Sequence, residues 1–163
     1  MTSSAFALAA MLSLPWFSHP SDVHRERQRV GPWTLTVVQA RFAGETQCRL
    51  AAHGVDYERG ALVIHLSRKA DTSDAVYRID GGPPRSVRAD VLEIARLGFL
   101  LNKDELWNPS GGLVRIPAHA IAGATRVAVQ TRPGAPVYGF RVDGLEPALE
   151  AARTAGCSPE AFR

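Results

Sequence analysis

A series of short runs rich in β-branched residues, each bounded by glycine, proline or other turn residues, is the feature that most constrains the fold. The runs are WTLTVVQA, TQCRL, GALVIHLSR, DAVYRIDGG, GGLVRIP, ATRVAVQT and VYGFRVDG. Runs of this length favour strands, and their regular spacing is typical of antiparallel sheets. They predict about seven strands in a β-sandwich or a curved sheet.

Two other segments have helical spacing. In ADVLEIARLGF, Asp90 followed by Glu93 resembles a capping box and predicts a short helix. Near the C-terminus, apolar residues recur every three or four positions, at Leu145, Ala148, Leu149, Ala152 and Ala155. This helix should end at Gly156. The sequence thus predicts an α+β, mainly β fold with a C-terminal helix packed on the sheet.

The length of 163 residues and the 45% hydrophobic content suit one globular domain, which we assign to residues 31–163. The preceding residues, 1–30, are interpreted as a signal peptide and linker. The apolar run Ala5–Phe17 is too short to span a bilayer but has the length of a signal-peptide core. The alternatives are a mis-assigned start codon and an apolar leader that packs loosely on the domain. We expect no integral membrane segment in the mature chain.

The chain has two cysteines, Cys48 and Cys157, so only one intramolecular pairing exists. In an exported protein this pair predicts a disulfide that joins an early strand to the end of the last helix. The alternative is two reduced, buried cysteines in a cytoplasmic protein. Export and the disulfide together predict a periplasmic or secreted location.

Four segments, GPWTL, TQCRL, YRIDGG and FRVDGLEPALEAA, together resemble the invasion-associated locus B family of exported bacterial proteins. The resemblance implies a β-sandwich-like fold in the periplasm or outer envelope, and it brings no catalytic residues. The chain departs from the family in lacking a central pair of cysteines and in placing its second cysteine after the last helix.

Basic residues give the chain a pI of about 9.2, and only Lys69 and Lys103 among its 19 basic residues are lysine. The densest arginine cluster, Arg25, Arg27 and Arg29, is interpreted as part of the solvated linker. We expect no nucleic-acid partner, because no recognised motif accompanies these charges. A cytoplasmic, arginine-rich nucleic-acid-binding protein is kept as an alternative.

Two exposed segments are candidate contact sites. RIDGGPPRS has a sharp turn flanked by Arg78, Arg85 and Arg88, which predicts an anion-binding rim. Trp107, set among polar residues in NKDELWNPSGG, is a candidate contact aromatic for a sugar or a protein. Each has a plain structural interpretation, as a turn with solvated arginines and as a loop anchor.

The five histidines are His19, His24, His53, His65 and His119. They show no metal-binding spacing, so we predict no metal and no cofactor. We therefore expect an exported, non-enzymatic protein that binds a protein, small molecule or glycan of the cell envelope. The alternative function is a small hydrolase or lyase whose site combines dispersed histidines with Asp74 or Asp80.

Overall fold

A computed structural model describes residues 23–67, 70–99 and 112–162. These residues form two antiparallel sheets and two α-helices. The strands are β1 Val23–Val30, β2 Trp33–Ala40, β3 Glu45–Ala52, β4 Val55–Glu58, β5 Ala61–His65, β6 Val76–Ile79, β7 Arg85–Ser86, β8 Leu113–Pro117, β9 Arg126–Gln130 and β10 Val137–Arg141; the helices are α1 Val91–Arg96 and α2 Leu145–Thr154. The predicted mainly β fold with a C-terminal helix is confirmed.

The larger sheet has six strands in the order β1-β2-β3-β4-β5-β8, and the smaller has four in the order β10-β9-β6-β7. The inner faces of the two sheets enclose one apolar core together with α2. Its largest fully buried side chains are Trp33, Tyr77, Leu35, Leu50, Leu62, Ile64 and Ile116. The Trp33 indole N–H donates to the Asp143 carbonyl at 3.0 Å, which ties β2 to the start of α2.

The two helices cover opposite faces of the six-stranded sheet. Helix α2 contacts β1 and β2 on the inner face, where Ala148 and Ala152 are fully buried. Small side chains allow the helix to approach the sheet closely. Helix α1 packs Ile94 on Ala61 of β5 and so covers part of the outer face. Among the described residues, no helix covers the outer face of β1, β2 and β3.

The predicted disulfide joins Cys48 of β3 to Cys157, with Cα atoms 6.0 Å apart. Helix α2 ends at Thr154, and Gly156 follows its C-cap as the predicted C′ glycine. The Gly156 amide donates to the Arg153 carbonyl and the Cys157 amide to the Ala152 carbonyl, both at 3.0 Å, in the pattern of a Schellman motif. This turn directs Cys157 into the core, where it is 4% exposed.

The predicted linker is wrong over Val23–Val30, because these residues form β1 and pair with β2 along their whole length. The polar side chains of this segment favour a linker, yet backbone hydrogen bonds suffice to hold a strand. The capping prediction also needs correction. Asp90 makes no side-chain cap; its carboxylate accepts a 2.7 Å hydrogen bond from the buried Tyr77 hydroxyl.

Candidate functional site

The open part of the six-stranded sheet carries four arginines. Residues directly opposite one another in an antiparallel pair point to the same face. Arg27 lies opposite Thr36, which in turn lies opposite Arg49 of β3. Arg25 and Arg29, two positions either side of Arg27, point the same way because side chains alternate along a strand. We call Arg25, Arg27, Arg29 and Arg49 the arginine face.

The arginine face has a fixed backbone geometry. Alternate residues on a strand are about 6.6 Å apart, and strands two places apart are separated by about 9.6 Å. Between the arginines is a shallow groove of about 240 Å³. Its lining residues are Arg25, Arg27, Thr36, Val38, Gln47, Cys48 and Arg49. Guanidinium, hydroxyl and amide groups therefore surround a space large enough for one anionic group and part of a sugar.

Only two of the four arginines have partners among the described residues. Arg49 contacts the Asp56 carboxylate at 3.2 Å, and Arg29 donates to the Gly31 carbonyl at 3.4 Å. Neither Arg25 nor Arg27 forms an ion pair with any residue that the structure describes. The positive charge at this end of β1 thus faces solvent.

A histidine and a carboxylate meet beside the arginine face. The His65 Nε2 atom lies 3.1 Å from Asp56, the carboxylate that Arg49 also contacts. The shallow depression around them is otherwise lined by alanine, valine, glycine and Arg49. It supplies no hydroxyl or thiol nucleophile. This cluster therefore orients Arg49 rather than forming a nucleophile and base pair.

The predicted anion-binding rim is not assembled. Tyr77 pairs with Arg85 across the β6–β7 ribbon, so Arg85 shares the Tyr77 face, whereas Arg78 is on the opposite face. Arg85 lies over the Tyr77 ring, and Arg88 pairs with Asp74 at 2.7 Å. The three arginines follow closely in sequence but are directed to different surroundings.

The histidine and aspartate combinations expected for a hydrolase or lyase do not form. Asp80 instead accepts hydrogen bonds from the Thr125 hydroxyl at 2.7 Å and from the Arg126 amide at 2.8 Å. The Thr125 hydroxyl, with the Thr125 and Arg126 amides, lowers the pKa of the Asp80 carboxyl. His119 pairs with Glu93 at 3.0 Å. Asp80 therefore has a structural role.

A second groove, of about 390 Å³, lies where the chain enters α2. The turn 118–125 and the first residues of α2 line it, and the half-buried Leu149 contributes to its wall. Three of its polar residues already have partners: His119 pairs with Glu93, Thr125 binds Asp80, and Asp143 binds Arg141 at 2.7 Å. The groove therefore offers an apolar surface but few polar groups to orient a ligand.

Within the described ranges, no group of three or more histidine, cysteine, aspartate or glutamate side chains could hold a metal ion. No helix in the same part of the chain is long and apolar enough to cross a membrane. Trp107 lies outside the described residues.

Sequence reasoning missed Arg49, because its proximity to Arg27 depends on the register of β1, β2 and β3. The repeated alternation in RERQR was the available signal for a strand with one arginine-bearing face. No family model, curated protein or solved structure matches this sequence.

Proposed function

We propose that the protein is an exported, non-enzymatic binding module whose arginine face recognises an acidic glycan of the cell envelope. The observation that carries this proposal is the alignment of Arg25, Arg27 and Arg29 along β1 with Arg49 across Thr36. Arginine stays charged at every physiological pH and donates several hydrogen bonds, so it binds anions rather than transferring protons.

The spacing of the charges favours an extended ligand. Arginines repeat at every second residue along β1, with Cα atoms about 6.6 Å apart. A polysaccharide with regularly spaced carboxylate or sulfate groups meets such a row with several charges at once. Thr36 and Gln47, between the rows, offer hydrogen-bonding groups for sugar hydroxyls. Each charged contact strengthens binding, because hydrogen bonds that involve ionised groups are stronger than those between neutral groups.

Other anionic partners fit this face less well. Membrane surfaces are bound by basic residues combined with inserted apolar side chains, and Val23 is the one exposed large apolar residue of β1. Single-stranded nucleic acid is bound by basic grooves with stacking aromatics, and β1 and β3 carry no aromatic residue. The Cys48–Cys157 disulfide supports an oxidising compartment, as expected for an exported protein.

Titration calorimetry with heparin and polygalacturonate tests the proposal, with neutral dextran as the blank. Arg25→Ser/Arg27→Ser should weaken glycan binding at least about tenfold, because two charged contacts of about 1.5–3 kcal/mol each are lost. The matched control, Arg132→Ser/Arg153→Ser, removes the same charge from exposed positions elsewhere and should change binding little.

Equal weakening by both double variants would mean that binding depends only on the net charge of the protein, which would overturn the proposal. Tighter binding to duplex DNA or to anionic vesicles than to either glycan would also overturn it. If neither glycan binds, the arginines serve only to protect the exposed edge of β1 from pairing with other strands.

A further inference from the structure

Strand β10 is an edge strand that carries exposed apolar residues. It pairs with β9 on one side, and no strand among the described residues pairs with its other side. Val137 is 63% exposed and Tyr138 is 44% exposed, so the edge presents two large side chains to solvent. Exposed edges of this kind readily accept another strand.

The direction of the free backbone groups on β10 follows from its register. The Val142 amide donates to the Thr125 carbonyl at 3.0 Å, and this pair continues the β10–β9 register. Hydrogen-bonded residues alternate along an antiparallel pair. Tyr138 and Phe140 therefore point their backbone groups towards β9. Val137, Gly139 and Arg141 point theirs towards the free edge.

We propose that two copies of the chain dimerise by antiparallel pairing of β10 with β10, with Gly139 on the two-fold axis. In this register Gly139 pairs with its own counterpart and Val137 pairs with Arg141 of the second copy. All six residues in these pairs have outward-pointing amides and carbonyls. The dimer thus joins the two four-stranded sheets into one continuous sheet.

The side chains suit this register. Tyr138 of one copy lies opposite Phe140 of the other, and aromatic cross-strand pairs stabilise sheets. Val137 lies opposite Arg141, whose charge is already balanced by Asp143 at 2.7 Å. Arg141 therefore does not face a like charge directly across the new strand pair.

Strand β1, an edge of the larger sheet, does not self-pair in this way. An antiparallel pair centred on Arg27 places Arg27 opposite itself and Arg25 opposite Arg29, and directly opposed like charges destabilise a sheet. This difference favours β10 over β1 as the edge through which two copies meet.

One charged group modulates the proposed dimer. The Arg126 guanidinium lies over Gly139, where a β-carbon would stand. The two Arg126 side chains therefore approach each other near the two-fold axis. Raising the salt concentration should screen this repulsion and tighten the dimer, and Arg126→Gln should tighten it at low salt.

Sedimentation equilibrium tests the oligomeric state. The wild type should show a concentration-dependent dimer. Val137→Lys places a lysine opposite Arg141 twice and should weaken association about tenfold or more. Val23→Lys changes another exposed edge valine, on β1, and should leave the dimer unchanged. A monomer at about 1 mM wild-type protein, or equal effects of the two lysine variants, would overturn the proposal.

Residue-resolved amide hydrogen exchange provides a second test that needs no variant. Concentrating the protein should protect the amides of Val137, Gly139 and Arg141, whereas those of Tyr138 and Phe140 are protected already in the monomer. Dimerisation without this alternating change would place the interface elsewhere and overturn the proposal.

Discussion

Two connections between residues far apart in sequence stabilise the domain by different chemistry. The covalent clasp, Cys48–Cys157, links residues 109 positions apart inside the core. The carboxylate clasp, Asp80 with Thr125 and Arg126, links residues 45 positions apart at an exposed turn. A disulfide also restricts the unfolded chain, whereas hydrogen bonds act only in the folded state. The first clasp should respond to reductant and the second to acid.

Removing the covalent clasp should have the largest effect. In the chain-entropy model a loop of about 100 residues contributes about 4–5 kcal/mol, so Cys48→Ala/Cys157→Ala should lower the free energy of unfolding by about 4 kcal/mol. Urea denaturation measures the change. Reductant should destabilise the wild type and leave the double variant unaffected. A loss below about 1 kcal/mol would mean that packing alone holds the end of α2.

Phe162 strengthens the covalent clasp by packing, which the sequence did not suggest. It is 3% exposed, forms a β-bridge with Cys48, and its ring lies 5.0 Å from that of Tyr57 in an edge-to-face contact. Phe162→Ala should lower the free energy of unfolding by about 3 kcal/mol. Phe42→Ala is the matched control, because Phe42 is 94% exposed and its loss should stay within about 0.5 kcal/mol. Equal effects of the two substitutions would contradict this interpretation.

Weakening the carboxylate clasp should have a smaller effect. Asp80 has a φ angle of 47°, a left-handed conformation that asparagine tolerates well. Asp80→Asn should therefore keep the turn but lose the charge that attracts three donors, and the midpoint of thermal unfolding should fall. Asp74→Asn should lower the midpoint less, because Asp74 is exposed and its ion pair with Arg88 lies at the surface. If Asp80→Asn unfolds at the same midpoint as the wild type, the carboxylate clasp does not stabilise the domain.

The pH dependence gives the smallest and most specific effect. Hydrogen bonds from Thr125 and Arg126 lower the pKa of Asp80, so the folded state binds fewer protons than the unfolded state. Its contribution is fully present above the unfolded pKa of about 3.9 and is lost as the pH falls through the folded pKa. The stability difference between the wild type and Asp80→Asn should therefore close on acidification. A constant difference down to about pH 2 would contradict this assignment.

Much of the fold could be predicted from local patterns. WTLTVVQA buries Trp33, Leu35 and Val37 at alternate positions, and its bounds match those of β2. Gly156 ends α2 because a residue with positive φ is needed there, and its φ is 84°. The disulfide followed from there being two cysteines. The strand and the helix end depend on residues near one another in sequence, and the disulfide had only one possible pairing.

The missed features depend on contacts between distant residues. β1 buries almost none of its side chains, so hydrophobic periodicity gave no signal. The closeness of Arg27 and Arg49 is set by register across β2. Proximity in sequence also misled the interpretation of Arg78 and Arg85, since the β6–β7 ribbon directs them to opposite faces. Alternation along a strand therefore decides which neighbours act together.

The position of Cys48 in an early strand has a consequence for folding order. The β1–β2–β3 meander precedes Cys157 by more than 100 residues in the chain, so Cys48 has no intramolecular partner until that last segment is present. Pairing across such a separation raises contact order and slows folding. The disulfide should accordingly be the last step. A chain interrupted before Cys157 would carry an unpaired thiol, which marks it as incomplete to oxidoreductases that act on exposed cysteines.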